Sequence, residues 1–132
     1  MLSWRKYQPS DYELISGWFI GHGWDAKGVP PQEFLPATGM IVEIEGKPAA
    51  VGFLYLTNSS LGVLEWTATD PTLGIMGFKA LGYLIDHLMV AARDCNMKAV
   101  MHFTKPEIAK HFARRLGFTC VEDATILIRE VG

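Results

Sequence analysis

The stretch Leu61-Gly62-Val63-Leu64-Glu65-Trp66-Thr67-Ala68-Thr69-Asp70-Pro71-Thr72-Leu73-Gly74-Ile75-Met76-Gly77-Phe78-Lys79-Ala80 changes its period midway, and that change decides the fold. From Leu61 to Thr69 it is rich in β-branched, aromatic and aliphatic residues, as a strand requires. Asp70-Pro71 breaks the pattern. Beyond it Phe78, Leu81, Ile85, Leu88 and Ala92 recur at alternating steps of three and four, which predicts a helix from Met76 to Arg93. Asn96 ends that helix, and Ala99 to Thr104 follows as a short strand. A strand–helix–strand crossover of this length sets its two strands parallel, with a right-handed connection.

Working outward, the residues before Leu61 predict an antiparallel meander. Met40 to Glu45 alternates, Glu45-Gly46-Lys47-Pro48 turns, Ala50 to Thr57 is a second strand, and Asn58-Ser59-Ser60 turns into Leu61. The chain opens with a strand from Leu2 to Tyr7. Ser10 then starts a helix, with Glu13 as the partner in a capping box, and Tyr12, Ile15, Trp18 and Phe19 form its buried face up to Gly21. A loop runs from His22 to Pro31, and Gln32 to Leu35 reads as one helical turn between Pro31 and Pro36. Downstream, Pro106 starts a helix that places Ile108, Phe112 and Leu116 on one face. Arg114 and Arg115 complement its C-terminal dipole, and Gly117 ends it. Strands at Phe118–Glu122 and Thr125–Glu130 complete the order β-α-α-β-β-β-α-β-α-β-β. This is an α+β chain with a mixed, mostly antiparallel sheet flanked by helices.

Composition bounds the function. The 132 residues suit one domain spanning 1–132, and 49% hydrophobic with 20% charged residues is ordinary globular composition. A net charge of −2 without a basic run gives no reason to invoke nucleic acid, and no nucleic-acid partner is expected. No uninterrupted apolar stretch reaches the ~18–20 residues of a membrane span, and Met1 to Gln8 leads into no signal-peptide core, so a cytoplasmic protein is expected. Cys95 and Cys120 lack metal-type spacing and are expected to be buried free thiols. His87 and His102 have no metal-like partners and read as structural, so no metal is expected.

Three segments, in this order and spacing, carry a family resemblance. They are Trp4-Arg5-Lys6-Tyr7-Gln8-Pro9-Ser10-Asp11-Tyr12, the long strand running into Asp70-Pro71 and its Gly-bearing loop, and Ile108-Ala109-Lys110-His111-Phe112-Ala113-Arg114-Arg115-Leu116-Gly117-Phe118. Together they resemble the GNAT superfamily of N-acetyltransferases along essentially the whole chain, and in particular its short, degenerate members in phages and mobile elements. The resemblance implies a GNAT-like fold with a central, splayed pair of parallel strands. It also implies acetyl-CoA as co-substrate, with transfer of its acetyl group to an amine on a small molecule or protein. A non-catalytic module of this fold, binding CoA or a protein partner, is the alternative, and a homodimer stays open.

Carried over residue by residue, the resemblance assigns Trp66, Thr67, Ala68 and Thr69 to the pantetheine arm, which pairs with strand backbone as an added β-strand would. It assigns Leu73, Gly74, Met76, Gly77, Phe78, Lys79 and Ala80 to the pyrophosphate, at a helix N-terminus whose dipole favours an anion. The family loop begins with Arg or Gln. Here that residue is absent, and Lys79 is the nearby cation. Gly74 and Gly77 leave room for close backbone approach, or simply shape a tight strand-to-helix turn. Thr104 and Lys105 end the second parallel strand beside the arm, with Thr104 also a natural N-cap for the helix at Pro106, and Phe112 is placed near the cofactor.

For the chemistry, Glu65 is the candidate base, sharing one face of a regular strand with residues 67 and 69 and acting on the acceptor amine through a water. As an alternative it is an exposed carboxylate paired with a lysine. The family's late-helix tyrosine falls at Ala113, so His111 is the candidate acid, or else a solvated helix histidine. His22, Trp24 and Asp25, in a loop between glycines, are candidates for binding the acceptor, with a carboxylate and an aromatic face to receive a cationic amine.

Overall fold

The computed structural model describes residues 1–121, 127–129 and 131. Strands β1 (Leu2–Lys6), β2 (Gly39–Ile44), β3 (Lys47–Tyr55), β4 (Leu61–Thr69) and β5 (Ala99–His102) form one sheet in that order. The first three pairings are antiparallel. The last, β4 with β5, is parallel and runs from Leu61↔Ala99 to Leu64↔His102. Helices α1 (Tyr12–Gly21), α2 (Ile75–Asp94) and α3 (Pro106–Arg115) complete the α+β fold.

The period-2 alternation of the strands feeds two cores. Met40, Val42, Leu54 and Leu64 turn to the face covered by α2, where they meet Leu84, Ile85 and Leu88, with Phe112 of α3 joining them. Ile41, Val51, Phe53 and Ala68 turn to the other face, against Ile15, Trp18 and Phe19 of α1. Each fully buried Val, Leu, Ile or Phe among them contributes about 1.5–3 kcal/mol relative to exposure. Gly52 lets α2 lie close to β3, since a Cβ there would sit 3.1 Å from both Leu84 Cδ2 and Leu88 Cδ1. By length and composition α2 is also apolar enough to cross a membrane, but its buried face lies against the sheet as a core helix does.

Several local expectations change. The turn before α1 is a 3-10 segment, Pro9–Asp11, and Asp11, not Glu13, closes it by accepting the Gln8 amide at 2.8 Å. Arg5 fixes that carboxylate through two bonds of 2.8 and 2.9 Å. Cys95 and Cys120 are free but exposed. Ile108 is exposed, so α3 anchors through Phe112. Lys105 is the N-cap of α3, without a side-chain bond, so Thr104 does not cap it. Residues 118–121 and 127–129, within the two strands expected from Phe118 onward, are not in a strand. The remainder of those two expected strands lies outside the described residues.

One departure reshapes the site. Along β4 the register against β3 slips between Val51 and Phe53, where β4 carries one extra residue, and Trp66 takes a left-handed φ of 56°. This is a β-bulge, which bends its strand and inverts the facing of the residues beyond it. Glu65, opposite Phe53, therefore stands on the α1 face. Thr69, opposite Ala50, stands on the α2 face, and the Thr67 methyl lies beside Gly52 on that same side. The expectation that residues 65, 67 and 69 share a face fails because it requires an unbroken pleat.

Candidate active site

The parallel ladder stops at Leu64 and His102, yet β4 continues to Thr69. Beyond the fork, one edge of β4 stays paired with β3 through Val51↔Ala68 and Ala50↔Thr69. Its other edge, over Trp66, Thr67, Ala68 and Thr69, has no strand partner among the described residues. Backbone groups along this edge are thus open to an extended ligand, the geometry of β-augmentation, except the Thr69 carbonyl, which lies 2.8 Å from His22 Nε2.

Glu65 sits in the fork. Its Oε1 accepts the Phe103 amide at 3.0 Å and lies 3.7 Å from His102 Nδ1. Burial pushes its carboxyl up to about 6, against the lowering effect of the Phe103 bond. The Glu65 side chain keeps 19% of its surface exposed, enough for a water or amine to reach it. His102 is more deeply buried, and that burial lowers its pKa, with the Leu64 bond opposing. Its Nδ1 lies 2.8 Å from the Leu64 carbonyl, so that nitrogen must carry the proton in the neutral ring. Nε2 is then a buried acceptor without a partner among the described residues. The sequence alone gives His102 a purely structural reading; the only signal of more is its place at the end of the second parallel strand.

At the end of β4, Asp70 Oδ1 accepts from the Thr72 amide and hydroxyl, shaping the turn toward α2. Gly74 is the N-cap of α2, with φ 56° and ψ −126° and no side-chain capping bond. Gly77 packs on the strand end, where a Cβ would approach Thr69 Oγ1 to 3.3 Å. The start of α2 therefore packs on the Thr69 side chain at the end of β4. Met76, Phe78 and Lys79 are exposed there, whereas Ala80 is buried in the core and Leu73 packs partly against it. A cleft of about 490 Å³ opens alongside, lined by Ile75, Phe78, Lys79, Gly82, His111, Arg115 and Leu116. His111 thus borders the cleft, its ring 4.7 Å from that of Phe78. Phe112 points away, into the core beside His102 and Phe118. Thr104 and Lys105 are exposed just past β5.

The expected acceptor residues separate. Trp24 packs on Phe19 at 4.7 Å and stands 6.2 Å from Trp66, on the Glu65 side of the sheet. The Trp66 indole donates to the Tyr55 hydroxyl at 2.7 Å, and Tyr55 donates to the Phe34 carbonyl at 2.8 Å. Tyr55 and the Trp66 side chain thus extend an aromatic wall that the sequence does not announce. His22 lies instead against the end of β4, its Nε2 2.8 Å from the Thr69 carbonyl. Asp25 is exposed and caps the Lys27 amide at 2.9 Å. Among the described residues no cluster of three or more His, Cys, Asp or Glu could hold a metal.

No family model matches the chain, and no curated protein matches it in sequence. Solved structures do. A Mycobacterium tuberculosis protein in complex with CoA superposes with a TM-score of 0.71 at 22% identity, over 95% of this chain and 76% of that one. The GCN5-related N-acetyltransferase from Ralstonia eutropha gives 0.69 at 17% identity, over 97% and 99% of the two chains. The N-acetylglutamate synthase from Neisseria gonorrhoeae, complexed with coenzyme A and L-arginine, gives 0.67 at 19% identity over 86% of this chain. This chain spans only 26% of that synthase. At such identities the likeness establishes architecture, and on that ground the chain has the fold of the GNAT acetyltransferases.

Proposed function

We propose that the chain is an acyl-CoA-dependent N-acetyltransferase that moves the acetyl group of acetyl-CoA to an amine. The observation that carries this reading is the free edge of β4 from Trp66 to Thr69, opening beside a half-buried carboxylate at the fork. The pantetheine arm lies along that edge, and the uncapped start of α2 at Gly74 and Ile75 faces the pyrophosphate. The acyl carbon then sits near Glu65.

An alkylammonium with pKa ~10 must lose a proton before its nitrogen can attack the thioester carbonyl. Glu65 takes that proton through a water, and its raised pKa makes it a stronger base than an ordinary carboxylate. The new C–N bond pushes the carbonyl electrons onto oxygen, and a backbone N–H on the free edge of β4 stabilises the oxyanion. The intermediate collapses by breaking the C–S bond, and the thiolate leaves. His111, at the cleft wall, is the group that returns a proton to it. The aromatic wall of Trp24, Trp66 and Tyr55 supports a cationic acceptor on the Glu65 side, whether that amine belongs to a small molecule or a protein.

Ala113, half-buried on α3, supplies no proton donor where the resemblance places a tyrosine, and this favours a second reading: a module that binds CoA without turnover. Calorimetric titration with acetyl-CoA, followed by a thiol-release assay over a panel of amines, separates the two. Binding with acceptor-dependent thiol release supports the enzyme. Saturable binding without release for any amine supports the module. Absence of heat at millimolar acetyl-CoA contradicts both.

A further inference from the structure

We propose that His102 is a positioning residue for the transfer reaction: its imidazole ties the end of β5 to β4, so that the Phe103 amide stays fixed against the Glu65 carboxylate. The proposal rests on the acyltransferase reading above. Two consecutive residues on each strand take part. Leu64 and His102 are the last partners of the parallel ladder, and there the His102 ring donates from Nδ1 to the Leu64 carbonyl at 2.8 Å. One residue further on, the Phe103 amide donates to Glu65 Oε1 at 3.0 Å. A side chain of β5 thus meets the main chain of β4, and the main chain of β5 meets a side chain of β4. A side chain spans a wider gap than a ladder rung does, so the strands part while both main-chain groups keep partners.

The chemistry of the ring separates this role from packing and from proton transfer. The His102 side chain is 5% exposed, with its ring 4.5 Å from that of Phe112 and 6.3 Å from that of Phe118. A phenyl ring would fill that space as well. Because Nε2 is buried without a partner among the described residues, packing alone does not call for an imidazole. What the imidazole adds is the Nδ1–H. The Leu64 carbonyl can only accept, so Nδ1 already holds its proton, and Nε2 is shut off from solvent. The ring is therefore no base for the acceptor amine. Glu65 Oε1, 3.7 Å from Nδ1, lies beside the positive end of the N–H dipole, which favours the carboxylate. Among the described residues Glu65 is the one ionisable partner of His102; α3 and the segment after it present Phe112 and Phe118 there.

The test follows the Glu65 carboxyl by NMR in protein carrying carboxyl-labelled glutamate, assigned through Glu65→Gln, for the wild type, His102→Phe and His102→Asn. Phenylalanine keeps the packing and removes the donor. Asparagine gives up the ring but can place an amide N–H where Nδ1–H stands. In His102→Phe the Glu65 titration should move up by about one unit, the scale of one hydrogen bond to a charged group. In His102→Asn it should stay near the wild-type value. A role in packing alone predicts the reverse order, with the phenylalanine variant resembling the wild type. An unchanged titration in His102→Phe, or a larger shift in His102→Asn than in His102→Phe, overturns the proposal. Nitrogen NMR of the wild-type imidazole needs no variant: at pH 7 the ring should be neutral with its proton on Nδ1. A neutral ring protonated on Nε2, or an imidazolium, overturns the proposal equally. Absence of acetyl-CoA binding by the wild type overturns the acyltransferase reading, whereas these titrations decide the His102 assignment by themselves.

Discussion

The Glu65 carboxylate accepts the Phe103 amide at 3.0 Å, at the point where β4 and β5 part. This hydrogen bond joins the two arms of the fork beside the one from His102 Nδ1 to the Leu64 carbonyl, and it fixes the orientation of the Glu65 carboxylate. Had the ladder continued, that amide would belong to the sheet. Because it stops at Leu64 and His102, the amide is free to hold a side chain instead.

The first consequence is a pH profile. The Glu65 carboxyl is pushed up to about 6, and the base must be ionised to accept a proton. Acetyl transfer measured against pH should therefore rise through about pH 6 and level off above it. In Glu65→Gln that limb should vanish and the rate should fall about 10²–10⁴-fold. A retained limb near pH 6 in the variant would assign the titration to another group.

The same shift has a stability cost of known sign. Glu65 rises from 4.5 to about 6 because folding buries its charged form. The protonated form is the one the fold favours, so its contribution is complete below about pH 4.5 and is lost as pH rises through about 6. Above that, keeping the group ionised costs about 2 kcal/mol. Glu65→Gln, whose amide oxygen still accepts from Phe103, should be more stable than the wild type at neutral pH by roughly that amount. The gain should disappear near pH 4. Urea unfolding at the two pH values measures both.

Gly74 offers a test of the helix start. Its φ of 56° with ψ −126° is backbone that a Cβ disfavours, although nothing crowds the position. Gly74→Ala should lose about 1–3 kcal/mol of stability. It should also weaken acetyl-CoA binding, because relief of the strain turns the α2 N–H groups away from the ligand. Unchanged affinity would show that these groups do not face the pyrophosphate.

The unit from β4 through α2 to β5 is legible in the sequence because its signals are local. Asp70-Pro71 punctuates it, the step of three and four in Phe78, Leu81 and Ile85 names the helix, and α2 begins and ends one residue outside the expected bounds. The bulge is not legible. Trp66 carries a left-handed φ without the Gly, Asn or Asp that would announce it, since the pairing of β4 with β3 imposes that conformation. Glu65 can be selected from the sequence, but its face cannot. Its contacts with Phe103 and His102 are invisible for a similar reason, being 38 residues or nearly so away in the chain. Asp11 shows the same limit: its grip by Arg5 is a tertiary contact that displaces the capping box predicted from Ser10 and Glu13.

Amide hydrogen exchange with and without saturating acetyl-CoA tests the central claim most directly. The account predicts new protection at residues 66–69, along the free edge of β4, and at residues 74–77, at the start of α2. Protection confined to other segments, with exchange at 66–69 unchanged under saturating ligand, would contradict it.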